Sequence, residues 1–302
     1  MTVEAQRIYP SPHMVLWGLL LINGFLIALM LALSKSATSQ GMPAITYAFW
    51  QTLLAGFILL LRSGPPQVLL KRRLTTYFLI SGLAGIAIPN TTAFYLVTKL
   101  GAGFTGIMYA LPPIFTFLIA ASMGLEKRRW QKLIGLSIAV VACGWIVLQR
   151  HADVGESNPA WYILGILIPV ALSIGNVYRS VAWPAQTGPT ALAAGTLLAS
   201  AASLGVFALI TGTPLLPDTT TPDVLAIVVV QGVVTALAYL CAFEIQRRSN
   251  PVFFSQLGAV AAVFGLLIGV IWFGEEYSMM IWLGVAMVIA GLRVSNRSAT
   301  TA

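Results

Sequence analysis

Charge is what this sequence has least of. Lys, Arg, Asp and Glu make up 9% of its 302 residues, against roughly a quarter in ordinary soluble domains, and a soluble globule cannot cover itself with so little charge. Histidine and cysteine are just as scarce. His13 and His151 fall in predicted loops without companions at metal-ligand spacing, so neither a metal nor a cofactor is expected. Cys143 and Cys241 lie inside apolar runs that end near opposite membrane faces, which disfavours a disulfide and leaves both as packing residues. An intramembrane enzyme would need a nucleophile with a base at membrane depth. No His or Asp lies there, so no catalytic residue is expected. A channel filter is not visible either, because no short re-entrant apolar segment interrupts the long ones. The net charge of +8 does not indicate nucleic acid, since the basic residues sit in gaps between apolar runs and not on one surface.

Apolar residues are abundant: 58% of the chain is hydrophobic and the mean hydropathy is +0.87. A bilayer span takes about 20 mostly apolar residues. Apolar runs bounded by charge, proline and polar clusters predict helices over 14–34, 43–61, 74–97, 104–123 and 130–148, then 160–182, 188–210, 223–244, 251–273 and 279–296. The first run is longer than a signal-peptide core and only Arg7 precedes it as a basic residue, so it reads as a retained span. The expected fold is therefore all-α integral membrane, with ten transmembrane helices, the lipid bilayer as surroundings and no separate soluble domain.

With an even number of spans both termini share a side. Of 17 basic residues, all but Lys35, Lys99 and Arg150 fall on that side, in the termini or in the loops after helices 2, 4, 6 and 8; Arg179 is counted among them. The opposite side also carries Asp153, Glu156, Asp218, Asp223, Glu275 and Glu276. The positive-inside rule then predicts cytoplasmic termini in a plasma membrane, the inner membrane in a bacterium. A missed helix would invert every later loop and mix the two populations.

Shifting the sequence by 149 positions places Gly124-Leu125-Glu126 on Phe273-Gly274-Glu275, Gly135 on Gly284, Lys99 to Ala102 on Arg248 to Pro251, and Phe104 on Phe253. The chain thus divides into residues 1–149 and 150–302, each of five helices. Five is odd, so the second copy enters the membrane from the other side, the inverted repeat typical of secondary transporters. The two glutamates each precede a last helix, where the helix dipole favours a carboxylate.

In Ala110-Leu-Pro-Pro-Ile-Phe-Thr-Phe with Gly124-Leu-Glu126 and Gly135, and in Phe273-Gly-Glu275 with Gly284 and Gly291, the chain resembles the drug/metabolite transporter superfamily, specifically its ten-helix EamA-type branch. It departs in Leu125, where a glycine is usual, and in Ala261, where the second copy would mirror Pro112. The resemblance implies a basket of helices 1 to 4 and 6 to 9 around a central cavity, with helices 5 and 10 peripheral. It also implies export of amino acids, related metabolites or drugs.

Polar groups at mid-depth are costly against lipid, so they face a cavity or one another. The substrate-binding candidates are Asn23, Trp50, Gln51, Asn90, Tyr95, Tyr109, Asn176, Tyr178, Gln231, Tyr239 and Gln256, with Thr91, Thr92 and Ser255 beside them. No charged residue falls near the middle of a predicted helix, so the cavity is expected to be neutral and to suit neutral or zwitterionic solutes. Amino acids, aromatic ones included, lead, and a drug or other small metabolite is the alternative. Without a midplane carboxylate, facilitated or weakly coupled transport is expected; Glu244, beside Arg247 and Arg248, is the one coupling candidate. Backbone interruptions that would let helices bend stand at Pro89, Pro112 and Pro113 and, in the other half, at Gly258 and Gly265. A small-molecule substrate is the expected partner, and the expected state is a monomer or weak dimer.

Overall fold

The computed structural model describes residues 12–63, 72–125, 130–154, 158–216 and 221–297, and among them every regular element is a helix. In chain order these are α1 (Pro12–Thr38), α2 (Ala44–Ser63), α3 (Leu74–Leu100), α4 (Ala102–Ser122) and α5 (Trp130–Val154). The second half holds α6 (Pro159–Val181), α7 (Pro189–Thr211), α8 (Pro222–Arg248), α9 (Pro251–Phe273) and α10 (Met279–Arg297). Eight are long and apolar enough to cross a bilayer; in α5 and α10 the apolar stretches among the described residues are shorter, Ser137–Ile146 and Met279–Gly291. Glu126 and much of the basic loop charge, including Lys71, Lys127, Arg128 and Arg129, lie outside the described residues.

The sequence marks the helix starts clearly. Pro159, Pro189, Pro222 and Pro251 each open a helix, where a missing N–H costs nothing. Three of these helices are capped by side chains: Asn158 accepts from the Ala160 N–H, Thr221 from Val224 and Asn250 from Phe253. Gly212 and Gly274 end α7 and α9 in the left-handed region. Gly124 takes the same conformation after α4. Gly124 and Gly274 thus correspond at a separation one residue longer than the shift of 149 that aligns the glutamates.

Large apolar side chains such as Leu61, Ile163, Leu209, Ile210 and Ile271 point outward. Lipid tails are as apolar as these residues, so helix association rests on close packing at small residues. Gly56 of α2 receives Leu198 of α7, Gly232 of α8 receives Leu54 of α2, and Gly82 of α3 lies against the backbone of α7. The helix pairings repeat between halves: α1 packs on α8 and α9 as α6 packs on α3 and α4, and α2 packs on α8 as α7 packs on α3. Helices in equivalent places also meet each other, α2 with α7 and α5 with α10. Such self-pairing is what a two-fold axis in the membrane plane produces. At residue level, Asn90 donates to Tyr239 at 3.2 Å across a separation of 149 positions, which is the repeat offset. Tyr109 and Gly258, equally far apart in sequence, are also in contact.

Four helices are interrupted, three of them just ahead of or at a proline. A proline clashes with the carbonyl four residues before it and lacks an N–H. Ahead of Pro89, α3 widens into a π turn over Leu83–Ala87, with the Ile88 N–H reaching back to the Leu83 carbonyl. In α4 the chain breaks at Tyr109 to Leu111, so Pro112 and Pro113 open a fresh helix instead of obstructing one. The others break at Ile166 in α6 and Gln256 in α9.

Candidate functional site

These interruptions surround a cavity of about 70 Å³, room for a few water molecules. It is lined by α1, α3, α4, α6, α8 and α9, three helices from each half. Its lining runs from mid-depth, at Asn90, Phe94 and Tyr109, toward the side where α1 begins, at Arg179, Gln246 and Phe254. Toward the opposite side the space is filled by buried Phe104, Ile107, Met108 and Leu266.

Of the eleven candidates, Asn23, Asn90, Tyr109, Asn176 and Tyr239 come together here. Asn90 is the centre of a chain: it accepts from the Tyr109 hydroxyl at 3.3 Å and donates to Tyr239 at 3.2 Å, joining α4, α3 and α8. Asn23, with its amide turned to satisfy both ends, donates to the Ala238 carbonyl at 3.0 Å and accepts from the Ala242 N–H at 3.3 Å, fastening α1 to α8.

The remaining candidates lie elsewhere. Gln51 accepts from Gln231 at 2.7 Å and from Thr235 at 3.2 Å, a buried polar tie between α2 and α8. The Trp50 indole donates to the Leu215 carbonyl at 2.7 Å, just after α7 ends. Tyr95 is exposed and meets Trp161 edge-on, and half-buried Tyr178 packs on Tyr77. Gln256 occupies the break in α9 between two lining residues, Ser255 and Leu257, without lining the cavity itself. Glu244 is engaged by Arg247 at 3.1 Å and Arg248 at 3.0 Å on the surface, in a local charge cluster.

The expectation of an uncharged cavity fails at Arg179. Its side chain is only 3% exposed and turns inward from the last turn of α6 instead of reaching for the interface. Nε donates to Gln246 at 2.9 Å, Nη2 donates to Asn176 at 2.7 Å, and the guanidinium carbon lies 5.6 Å from the centre of the Phe243 ring. Nη1 is buried without a partner, packed against Gly85. No acidic side chain is within ion-pair distance of Arg179 among the described residues. The sequence reading grouped Arg179 with loop charges because it stands in the last turn of a span. The available signal was Asn176 three residues earlier, on the same helical face. Gln246 was missed because α8 runs to Arg248, past its expected end at residue 244.

Gly85 and Gly175 make this arrangement possible. A Cβ at Gly175 would press into the backbone of Gly85, so α3 and α6 touch there through glycines alone. The nearest atoms to a Cβ at Gly85 all belong to the Arg179 head group, the movable end of a side chain. Gly85→Ala should accordingly leave folding nearly intact while displacing the guanidinium and lowering transport by about tenfold or more. Gly175→Ala should instead lower the melting temperature. Transport assays beside thermal unfolding of the two purified variants separate these outcomes.

A cavity shared by two halves across an in-plane axis is the layout of a secondary transporter. The family profile of the EamA-like transporter family matches residues 15–148 and again residues 159–297. The chain belongs to the EamA-like transporter family. It is a multi-pass membrane transporter of the drug/metabolite transporter superfamily. Protein PecM of Dickeya dadantii (strain 3937) is 26% identical over 266 residues, 84% of each chain. A solved crystal structure, 19% identical, superposes with a TM-score of 0.70 over 94% of this chain and 98% of its own, which shows the shared fold. In this EamA-like transporter six of the eight helices expected around the cavity line it; α2 and α7 pack on each other and contribute none of the lining residues, and α5 and α10, also packed on each other, contribute none either.

Proposed function

We propose that this protein exports small metabolites by alternating access across a bacterial inner membrane, with both termini in the cytoplasm and amino acids of apolar or aromatic side chain as leading substrates. The observation that carries the reading is the cavity on the repeat axis, where Asn90 of one half and Tyr239 of the other hydrogen-bond each other within the lining. Polar groups there sit among Ile27, Leu31, Phe94, Leu172 and Phe243, a mixture suited to a solute with one polar end and one apolar end. Closure beyond mid-depth and a lining that extends toward the termini correspond to a state that receives solute from the terminal side.

The test is counterflow in proteoliposomes with a panel of amino acids, sugar phosphates and cationic drugs, run with and without a pH gradient. Amino acids are expected to exchange, and among the described residues no Asp or Glu lines the cavity, so exchange should persist when the gradient is collapsed. Transport of sugar phosphates alone would overturn the substrate class. Strict dependence on the gradient would overturn the facilitated mechanism.

A further inference from the structure

Arg179 is a buried cation whose named partners are all neutral: two amide oxygens and an aromatic face. A guanidinium has five N–H donors, and two are accounted for by these bonds. Burying a charge without a counter-ion is costly, and the negative end of the α6 dipole offsets only part of that cost. An arginine so placed on a cavity wall, at the crossing of a π turn with a glycine-bearing helix, is poised to accept an anion.

We propose that Arg179 anchors the carboxylate of the transported solute, so that the cavity selects small carboxylates, amino acids among them, over amines and amides that lack the acid. This rests on the transporter reading above and assigns its polar contact. Arg–carboxylate pairing is strong and directional. Carboxylate is favoured over phosphate because, among the described residues, the lining holds one cation, with no lysine or second arginine to meet a dianion, and is otherwise largely apolar. An amino acid's ammonium would face neutral oxygens, since the lining contains no acid among the described residues. Cationic amines would therefore meet a like charge.

The test uses the full chain in lipid nanodiscs with four probes of similar shape: 3-phenylpropionate, L-phenylalanine, L-phenylalaninamide and phenethylamine. Binding is followed by calorimetry and counterflow is measured in proteoliposomes. The two acids are expected to bind at least about tenfold more tightly than the amide and the amine, the fold-change that one charge-assisted hydrogen bond supports. Arg179→Gln should abolish that preference. Gln246→Glu keeps side-chain size while placing a permanent carboxylate beside Nε, and it should fold normally and lose acid binding. Equal binding of acid and amine by the natural protein overturns the proposal. Acid binding unchanged in Gln246→Glu also overturns it, and that variant decides should Arg179→Gln fail to fold. If other solutes exchange but neither acid binds, the anchor is refuted while transport stands. If no solute exchanges faster than in protein-free vesicles, the transporter reading itself fails.

Discussion

An alanine at Gly258 is expected to destabilise the protein by about 3 kcal/mol or more, at the upper end for one added methyl group. A Cβ there would overlap the Tyr109 carbonyl, which is backbone and cannot swing aside as a side-chain tip can. Tyr109 stands at the break in α4, and Gly258 follows the break in α9 by two residues, so the two interrupted helices cross at their weakest points. Forcing them apart would also pull Tyr109 from Asn90 and open the cavity lining. Thermal or denaturant unfolding of Gly258→Ala in detergent should show the loss, accompanied by loss of transport. Gly18→Ala is the matched control. Nothing lies within 4 Å of a Cβ at Gly18, and alanine is the better helix former by about 1 kcal/mol. A Gly258→Ala variant as stable as Gly18→Ala would show that the α4–α9 contact is not tight.

Glu275→Gln should be nearly as disruptive, at about 2 kcal/mol, and its effect should depend on pH. Glu275 sits in the turn between α9 and α10 at the end away from the termini. It pairs with Lys35 of α1, accepts from the Tyr277 hydroxyl, and takes the backbone N–H of Ala102 at 2.8 Å and of Gly103 at 3.2 Å. It thereby caps the first turn of α4, just after Gly101 turns the chain at φ +87°. Burial opposes its charge, but the bonds from Lys35, Tyr277 and Ala102 prevail and hold the carboxyl below the usual value of 4.5. A carboxylate with a lowered folded pKa stabilises fully above its unfolded value and loses that contribution as pH falls through the folded one. The natural protein should therefore lose this stability only below about pH 4.5. Glu275→Gln should be weaker at neutral pH and lack that part of the acid response. Melting curves from pH 3 to 7 for both proteins check this, and parallel curves would refute it.

Much of the architecture was readable in the one-dimensional pattern. Long uncharged runs have few outcomes in water or lipid other than membrane helices, because the backbone must satisfy its own hydrogen bonds there. The recurrence that placed Glu126 on Glu275 predicted an inverted repeat, and the Asn90–Tyr239 bond realises the same offset in space. Prolines signalled interruptions, and α3 and α4 are interrupted beside Pro89 and Pro112. Glu275 was read as a dipole partner of the last helix; it instead caps α4, because the turn after Gly274 folds it back across the bundle.

Side-chain direction was the part that the pattern could not supply. Polar residues at mid-depth belong either to a cavity or to helix contacts, and spacing does not separate the two. Gln51 and Gln231 bond each other between α2 and α8, whereas Asn90 and Asn176 line the cavity. Arg179 is the sharper case. A lone basic residue in the last turn of a span ordinarily extends to the interface; here Asn176, Gln246 and the bare backbone of Gly85 provide a place inside. From sequence alone came the membrane helices, their two-fold repetition and the breaks beside Pro89 and Pro112, since each follows from local hydropathy and backbone chemistry, whereas the breaks at Ile166 and Gln256 were not anticipated. The charge inside the cavity was decided only when residues more than sixty positions apart were packed together, because its neighbours come from three different helices.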